Sequence, residues 1–307
     1  MDNINIIKNL EVPNKTIDVV IDTDAYNEVD DQFAIAYLLK SKEKLNTKAI
    51  YAAPFHNKWN INHPSTGPKD GMEQSYNEIL KLLDLMDEKM DVYKGSESFL
   101  TDEKTPVISD AANDLAKRCE QYSPENPLYV VAIGAITNVA SAILLNPKMI
   151  ENTVIVWLGG HALHFEHTKE FNMIQDVAAA RIVMGCGVPF VQLPCEGVVS
   201  AFTISKPELE YWFKGKNKLC DYLCENAIET AEAYAKGKPW TRCIWDVTAV
   251  GWLLNDNRRF MSSRLIPSPI PSYDGKYTHN PSGHLINYIY RIKRDELMED
   301  MINKLTK

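Results

Sequence analysis

The stretch that decides the fold is residues 19–39, VVIDTDAYNEVDDQFAIAYLL, where four aspartates lie between two apolar blocks. The first block predicts a buried strand. The second, DQFAIAYLL, is apolar on most sides and predicts a buried helix. Carboxylates this close in sequence repel one another, and burial raises that cost further. A chain that holds them together needs a compensating positive charge.

The same alternation of strand and helix continues along the chain. Near-continuous Val/Ile runs such as VVID, YVVAI and VIVW predict strands, and helical patterns separate them. Runs of this kind are typical of parallel sheets whose two faces are both covered by helices. No repeat or linker divides the 307 residues. We therefore expect a single α/β domain over residues 1–307, Rossmann-like, with a mostly parallel central sheet and helices on both faces.

Composition excludes several classes of protein. A hydrophobic content of 45% allows a large core, and a formal net charge of −8 without a basic cluster argues against a nucleic-acid partner. No apolar run approaches the roughly 18 residues of a membrane helix, and the N-terminus has no signal-peptide pattern. Six cysteines in so long a chain do not indicate a disulfide framework. The prediction is a cytoplasmic protein with reduced thiols.

Three polar segments locate a site. Ligands of doubly covered parallel sheets bind outside the carboxyl ends of the strands. Asp22 and Asp24, the segment GAITN at 134–138 and the segment LGGH at 158–161 each follow a predicted strand. They should converge on one edge of the sheet.

The aspartates have two readings. Asp30 or Asp31 can serve as a cap of the following helix, where free amides and the helix dipole favour carboxylates. That accounts for one or two of the four, but not for Asp22 and Asp24 as well. The other reading is a hard-cation site. Clustered carboxylates without Cys or His suit Ca²⁺ or Mg²⁺, and a flexible set of many oxygens favours Ca²⁺.

Four motifs occur in order along residues 17–255: DTD…DD, VAIGAITNVASAILLNP, WLGGH…KEFNMIQDVAAARIV and WDVTAV. In these motifs the chain resembles the calcium-dependent nucleoside hydrolases, whose type members are inosine–uridine-preferring N-ribohydrolases. The resemblance implies the fold of that family, Ca²⁺ as cofactor, and hydrolysis of ribonucleosides to free base and ribose in purine and pyrimidine salvage. It also implies a homo-oligomer, either a dimer or a tetramer, with a small nucleoside as the bound partner.

The resemblance also implies a role for each matching residue. Asp24 is expected to be the general base for water, and Asp22 to orient the loop from behind. The expected metal ligands are Asp24, Asp31, the backbone carbonyl of Thr137, and Asp246. The residues expected to bind the ribose hydroxyls are Asp30, Asn172 and Asp246 for the 2′- and 3′-hydroxyls and Glu170 for the 5′-hydroxyl.

The chain departs from the family in three places. Five residues, Ala25–Val29, separate Asp24 from Asp30 where the family usually has three. We expect a bulged loop there, with Tyr26, Asn27 or Glu28 reaching into the site. Trp245 replaces the histidine that protonates the leaving base in many members. Purine-preferring members stack a Trp on the base at this position, so a purine-type substrate is indicated. An asparagine that contacts the sugar in familiar members aligns with His164.

Two other functions fit parts of the sequence. A buried strand ending in Asp-x-Asp also resembles the haloacid-dehalogenase-type phosphatases, with Asp22 as nucleophile and Asp24 as acid/base. That family, however, has Thr or Val where this chain has Tyr26. The second is a non-catalytic nucleoside- or sugar-binding protein.

The long segment HNKWNINHPSTGPKDG, residues 56–71, follows the second predicted strand and fits no regular element. A loop of this length in a compact domain usually has a function. We expect it to form a lid that carries His56, Trp59 and His63.

Overall fold

The computed structural model describes residues 3–58 and 64–307. Within these residues the strands are β1 (Ile17–Thr23), β2 (Leu45–Ala52), β3 (Val92–Lys94), β4 (Leu128–Ala132), β5 (Thr153–Leu158), β6 (Phe190–Leu193), β7 (Thr203–Ser205), β8 (Thr241–Cys243), β9 (Met261–Pro267), β10 (Ile270–Pro271), β11 (Tyr277–Thr278) and β12 (Leu285–Ile292). Eight of them form the central sheet in the order β3-β2-β1-β4-β5-β6-β12-β9. Every neighbouring pair is parallel except β12 and β9.

The helices of the described residues are α1 (Asn3–Asn9), α2 (Asp30–Leu39), α3 (Pro68–Met86), α4 (Asp110–Arg118), α5 (Thr137–Leu145), α6 (Met149–Asn152), α7 (Phe171–Gln175), α8 (Val177–Gly185), α9 (Lys206–Trp212), α10 (Lys218–Ala235), α11 (Val247–Leu253) and α12 (Arg294–Leu305). Short 3₁₀ turns add Cys119–Gln121, Val199–Ala201 and Asp256–Arg258. The predicted α/β class with a mostly parallel sheet is confirmed.

Both faces of the sheet are covered, as the apolar strands require. Successive residues of β1 point to opposite sides, so Val19 and Ile21 join one hydrophobic cluster and Val20 joins the other. Helices α2 and α11 pack in the first cluster, and α4, α5 and α8 in the second. Every residue of α2 is buried, which explains its apolar sequence. The continuous Val/Ile runs therefore reflect strands buried on two sides.

Some elements were not predicted. The turn-rich segment at 267–283 contains a small antiparallel pair, β10 and β11. The antiparallel edge strand β9 was missed because its sequence MSSRLIP is half exposed and has no apolar run. Strands β7 and β8 form a separate two-stranded ribbon. These pairs are too short or too exposed to leave a clear periodic pattern.

The strand register brings the polar segments together. Asp22 of β1 lies opposite Ala132 of β4, and Ala132 lies opposite Trp157 of β5. The amide of Ile133 then donates to the carbonyl of Asp22 at 2.9 Å. The carboxyl ends of three adjacent strands thus form one edge, which is where the site was predicted.

Asn138 of α5 ties this edge together. Its Nδ2 donates to Asp22 Oδ1 at 2.8 Å and to the Ala52 carbonyl at 3.2 Å. Its Oδ1 accepts from the amide and the hydroxyl of Ser96, both at 2.8 Å. All of these groups are buried, so the loss of this side chain would leave several polar atoms without partners.

We therefore expect Asn138→Ala to lower the free energy of unfolding by about 3 kcal/mol, because buried polar groups lose their hydrogen bonds. Urea denaturation followed by circular dichroism measures this change. The control is Asn46→Ala, which removes an exposed hydrogen bond to Asp18 and should change stability by less than about 0.5 kcal/mol. Equal effects of the two substitutions would contradict the prediction.

Candidate active site

A cavity of about 220 Å³ lies at the edge formed by the carboxyl ends of β1, β4 and β5. Most of the predicted site residues line it. They are Asp24, Asp30, Asp31, Glu170, Asn172, Trp245 and Asp246. These residues come from three distant parts of the chain, and the sheet and its helices bring them together.

Three carboxylates form the tightest cluster. Asp30, Asp31 and Asp246 each place one oxygen within 4.8 Å of the other two, and all three residues are buried. Thr23 Oγ1 donates to Asp31 Oδ1 at 2.5 Å. The amide of Asp246 donates to Asp30 Oδ2 at 3.3 Å. Asp30 and Asp31 lie in the first turn of α2, where the helix dipole favours negative charge, but Val29 holds the cap position. Capping by a side chain therefore does not explain the cluster.

Asp24 and Asp22 each have an oxygen without a partner. Among the residues that the structure describes, Asp24 Oδ2 and Asp22 Oδ2 are buried and accept no hydrogen bond. Burial raises the pKa of Asp24 well above its ordinary value, and the charges of Asp31 and Asp30 raise it further. Burial also raises the pKa of Asp22 to about 7, although the hydrogen bond from Asn138 opposes this.

This arrangement fits a divalent cation. Asp24, Asp30, Asp31 and Asp246 all face the cavity and offer only oxygen atoms, which hard cations prefer. Burial raises the pKa of Asp30 to about 6, with Glu28 adding to the shift and Arg242 opposing it. Burial and the neighbouring aspartates likewise raise the pKa of Asp246. Too much negative charge is therefore gathered in this space, and a bound cation would relieve it.

The residue that brings a backbone carbonyl to the site differs from the expected Thr137. Thr137 opens α5, its hydroxyl donates to Asp176 Oδ2 at 2.7 Å, and it is not among the described residues that line the cavity. Ile133, four residues earlier, lines the cavity at the end of β4. The structure therefore brings Ile133, and not Thr137, to the aspartates. A backbone ligand has no side-chain signature, so only the register of the strand could have indicated Ile133.

Glu170 and Asn172 are held by backbone groups. Glu170 caps α7: its Oε1 accepts from the amide of Asn172 at 2.8 Å, and its Oε2 accepts from the amides of Gly160 and Met173 at 2.8 and 2.9 Å. Asn172 Nδ2 donates to the carbonyls of Ile133 and Leu158, both at 3.1 Å. Both side chains are therefore fixed on the cavity wall beside the carboxylates.

The histidines are arranged differently from the expectation. His164 is exposed, its ring lies 5.0 Å from the ring of Phe165, and it is not among the described residues that line the cavity. His161 lines the cavity instead. Burial lowers the pKa of His161, and His167 lowers it further. The position of His161 directly after the predicted strand, in LGGH, was the signal that could have identified it.

The longer connection between Asp24 and Asp30 also reaches the cavity. Asn27 and Glu28 line it, whereas Tyr26 is not among the described lining residues. In the expected lid, the amide of His56 donates to Gln175 Oε1 at 2.8 Å. Trp59 and His63 lie outside the described residues, so the lid remains a prediction.

The sequence model of the inosine-uridine preferring nucleoside hydrolase family matches residues 19–280 of this chain. The chain belongs to this family. Among curated relatives, the probable uridine nucleosidase 2 of Arabidopsis thaliana is 27% identical over 135 residues. That match covers 43% of this chain and 41% of the relative, or about two fifths of the relative's length.

Solved nucleoside hydrolases share the fold. A plant nucleoside hydrolase superposes with a TM-score of 0.73 at 19% identity, covering 96% of this chain and 99% of that one. A purine-preferring ribonucleoside hydrolase from Gardnerella vaginalis gives 0.71 at 18% identity, with 94% and 98% covered. Identities this low establish the fold only. The match of the family model over residues 19–280 confirms the predicted family resemblance.

The phosphatase alternative has no support in this family member. Asp22, its required nucleophile, is fully buried and is not among the described residues that line the cavity. It accepts a hydrogen bond from Asn138 and cannot reach a substrate there.

None of the described helices is long and apolar enough to cross a membrane.

Without a cation, we expect the free energy of unfolding to fall as the pH rises from about 5 to about 7.5. The folded pKa values of Asp22 and Asp30, about 7 and about 6, exceed the ordinary value of 3.8. The folded state therefore binds more protons than the unfolded chain in this range, and it loses that advantage as the pH rises. Thermal denaturation of chelator-treated protein measures the effect.

A divalent cation that binds the ionised carboxylates of the folded state only should remove most of this loss at the higher pH, and added Ca²⁺ tests this. Asp22→Asn should make the pH dependence of the chelated protein shallower. A melting temperature that stays constant or rises across this range would contradict the prediction.

Proposed function

We propose that this protein is a calcium-dependent nucleoside hydrolase that splits the N-glycosidic bond of ribonucleosides into free base and ribose. One observation carries the proposal: Asp24, Asp30, Asp31 and Asp246 surround a single cavity in a chain of the nucleoside hydrolase family. Asn172 and Glu170 provide neutral and charged hydrogen-bonding groups on the same wall. A vicinal diol and a 5′-hydroxyl are the groups of ribose that match such a wall.

The donor set for the metal is oxygen throughout. Asp24, Asp31 and Asp246 supply carboxylates, and the end of β4 supplies a backbone carbonyl. We place that carbonyl at Ile133, which lines the cavity, in preference to Thr137. Bound Ca²⁺ supplies positive charge that neutralises the carboxylates and orients oxygen ligands. Asp30, Asp246 and Asn172 position the 2′- and 3′-hydroxyls, and Glu170 receives the 5′-hydroxyl.

Asp24 is the general base in this proposal. Its Oδ2 is buried at the cavity and has no partner among the described residues, so it is placed to take a proton from water. The water oxygen forms the new bond to C1′, and the electron pair of the broken bond leaves with the nitrogen of the base. The sugar gains positive character as that bond breaks, and the surrounding carboxylates stabilise it.

Trp245 contributes to the purine preference that we propose. Its side chain lines the cavity directly before Asp246 and is only partly buried. A large aromatic face at this position can stack on a nucleobase. The proposal also retains the homo-oligomer, a dimer or tetramer, that the resemblance implies and the cytoplasmic location that the cysteine composition predicts.

Asp24→Ala should lose nearly all hydrolysis, because it removes both a metal ligand and the base. The measurement is release of reducing sugar from a panel of ribonucleosides, with and without a chelator. The control is Asp300→Asn, which changes a carboxylate outside the cavity and should keep wild-type turnover. Wild-type turnover by Asp24→Ala would overturn the assignment of base and ligand. Binding of nucleosides by calorimetry without any ribose release would favour the non-catalytic binding protein.

Trp245→Ala should raise KM for purine nucleosides by about tenfold, because stacking of a base on an aromatic side chain is worth about 1–3 kcal/mol. Steady-state kinetics on inosine and uridine measure the change, and uridine should be affected less because its ring is smaller. Trp240→Ala, on the same segment but away from the described lining residues, is the control. If Trp245→Ala left KM for inosine unchanged, or raised KM for inosine and uridine by the same factor, the stacking role would be contradicted.

A further inference from the structure

The connection between Asp24 and Asp30 is anchored by an ion pair. Arg242 Nη2 of β8 donates to Glu28 Oε2 in a charge-assisted hydrogen bond. The Arg242 side chain is only 15% exposed, whereas that of Glu28 is 38% exposed and lines the cavity. A charge-assisted pair with a largely buried arginine is stronger than an ordinary surface ion pair. Glu28 is therefore held in one place at the edge of the cavity.

Further hydrogen bonds fix the same connection. The amide of Asn27 donates to the carbonyl of Asp24 at 2.8 Å, which closes a turn. Asn57 Nδ2 donates to Asn27 Oδ1 at 2.8 Å, and Gln32 Nε2 donates to the carbonyl of Glu28 at 3.4 Å. The segment Ala25–Val29 is thus a supported wall of the cavity.

The chemistry of ribose places the base beside this wall. In the binding mode of the proposed function, the diol carbons, C2′ and C3′, face the aspartates, and the 5′-hydroxyl on the C4′ side faces Glu170. C1′ flanks the ring oxygen on the side opposite C4′, so the base extends away from Glu170. Trp245 lies two residues after β8, Glu28 is bound to Arg242 of β8, and both line the cavity, so both lie on the side of that strand.

The carboxylate of Glu28 offers hydrogen-bond acceptors to a nucleobase bound beside it in the cavity. An ionised carboxylate has about four acceptor positions and no donor. Arg242 uses Oε2, and no described residue donates to Oε1. A base that presents adjacent N–H donors satisfies these acceptors. A base edge made only of acceptors is repelled.

We propose that Glu28 is a specificity-determining residue that accepts hydrogen bonds from the Watson–Crick edge of the leaving base and selects 6-oxopurine nucleosides, guanosine above all. Guanine presents N1–H and its amino group side by side, a pair that matches a carboxylate. Adenine offers one amino donor beside an acceptor, and unsubstituted purine offers no donor on this edge. This inference rests on the proposed nucleoside hydrolysis.

The test compares guanosine with purine riboside, which has the same ring system without the donors. The measured quantity is the ratio of kcat/KM for the two substrates, in wild type and in Glu28→Gln. Because the intrinsic reactivity of each substrate cancels between enzymes, the change in this ratio isolates the contact at residue 28. In the variant, Arg242 engages the single amide carbonyl, so the amide N–H₂ faces the donors of guanine. We expect the ratio to fall by about tenfold or more.

Glu103→Gln is the matched control. Glu103 is 37% exposed and pairs with Arg181 at 2.6 Å, but it is not among the described residues that line the cavity. Its substitution removes a comparable ion pair and should leave the ratio and the turnover unchanged. Calcium affinity, measured by calorimetry on each variant, separates a loss of base recognition from a disturbed metal site. A preserved affinity with a lowered ratio supports the proposal.

Three results would overturn it. An unchanged ratio in Glu28→Gln, with an active wild type, removes the specificity role and leaves the proposed function standing. If the wild type releases ribose only from pyrimidine nucleosides, the specificity role of Glu28 is likewise removed and the proposed hydrolysis of nucleosides stands. If the wild type hydrolyses no nucleoside with calcium present, the proposed function itself fails, and this inference fails with it.

Discussion

Repulsion among buried carboxylates is the constraint on which the rest of this structure depends. At the 4.8 Å separation within which Asp30, Asp31 and Asp246 lie, two unit charges repel by about 3 kcal/mol at an effective dielectric constant near 20. Three such pairs reach about 10 kcal/mol, which equals the whole net stability of an ordinary domain. The cluster therefore exists either partly protonated, as the raised pKa values indicate, or neutralised by a cation. The proposed function requires the second state, because a protonated Asp24 could not act as the proposed general base.

The scaffold supplies the rigidity that such a cluster needs. Asp24 follows β1, the aspartates of α2 lie on a helix with no exposed residue, and Asp246 precedes the buried helix α11. Asn138 joins Asp22 to the neighbouring strand β2 from the other side. Because each carboxylate is attached to an element packed in the core, the group cannot relax apart without disturbing that core. The packing free energy of the core thus offsets the repulsion among the carboxylates.

Long periodic signals made the sheet, its helices and most of the cavity predictable from the sequence. The Val/Ile runs indicated buried strands, and carboxylates at their ends indicated the site. The parts that were missed have weak side-chain signals. Ile133 lines the cavity because it directly follows β4, and β9 is an exposed edge strand with a mixed sequence. His161 could have been identified from its position directly after a predicted strand, whereas His164 was chosen through the family alignment and is not among the described residues that line the cavity. The positions of Ile133 and β9 depend on packing between distant segments of the chain, and the local sequence does not indicate that packing.

The two extra residues between Asp24 and Asp30 lengthen the part of the site that our proposal assigns to recognition of the base. Both ends of the connection are fixed, one by the sheet and the other by α2, so added length must bulge into solvent or into the cavity. Arg242 lies on a separate ribbon, outside the central sheet, and its attraction for Glu28 favours the inward course. In the proposed binding mode the sugar contacts the aspartates, whose positions are fixed by β1, α2 and α11. The proposed recognition of the base therefore depends on the segment Ala25–Val29, and the carboxylates stay where the core holds them.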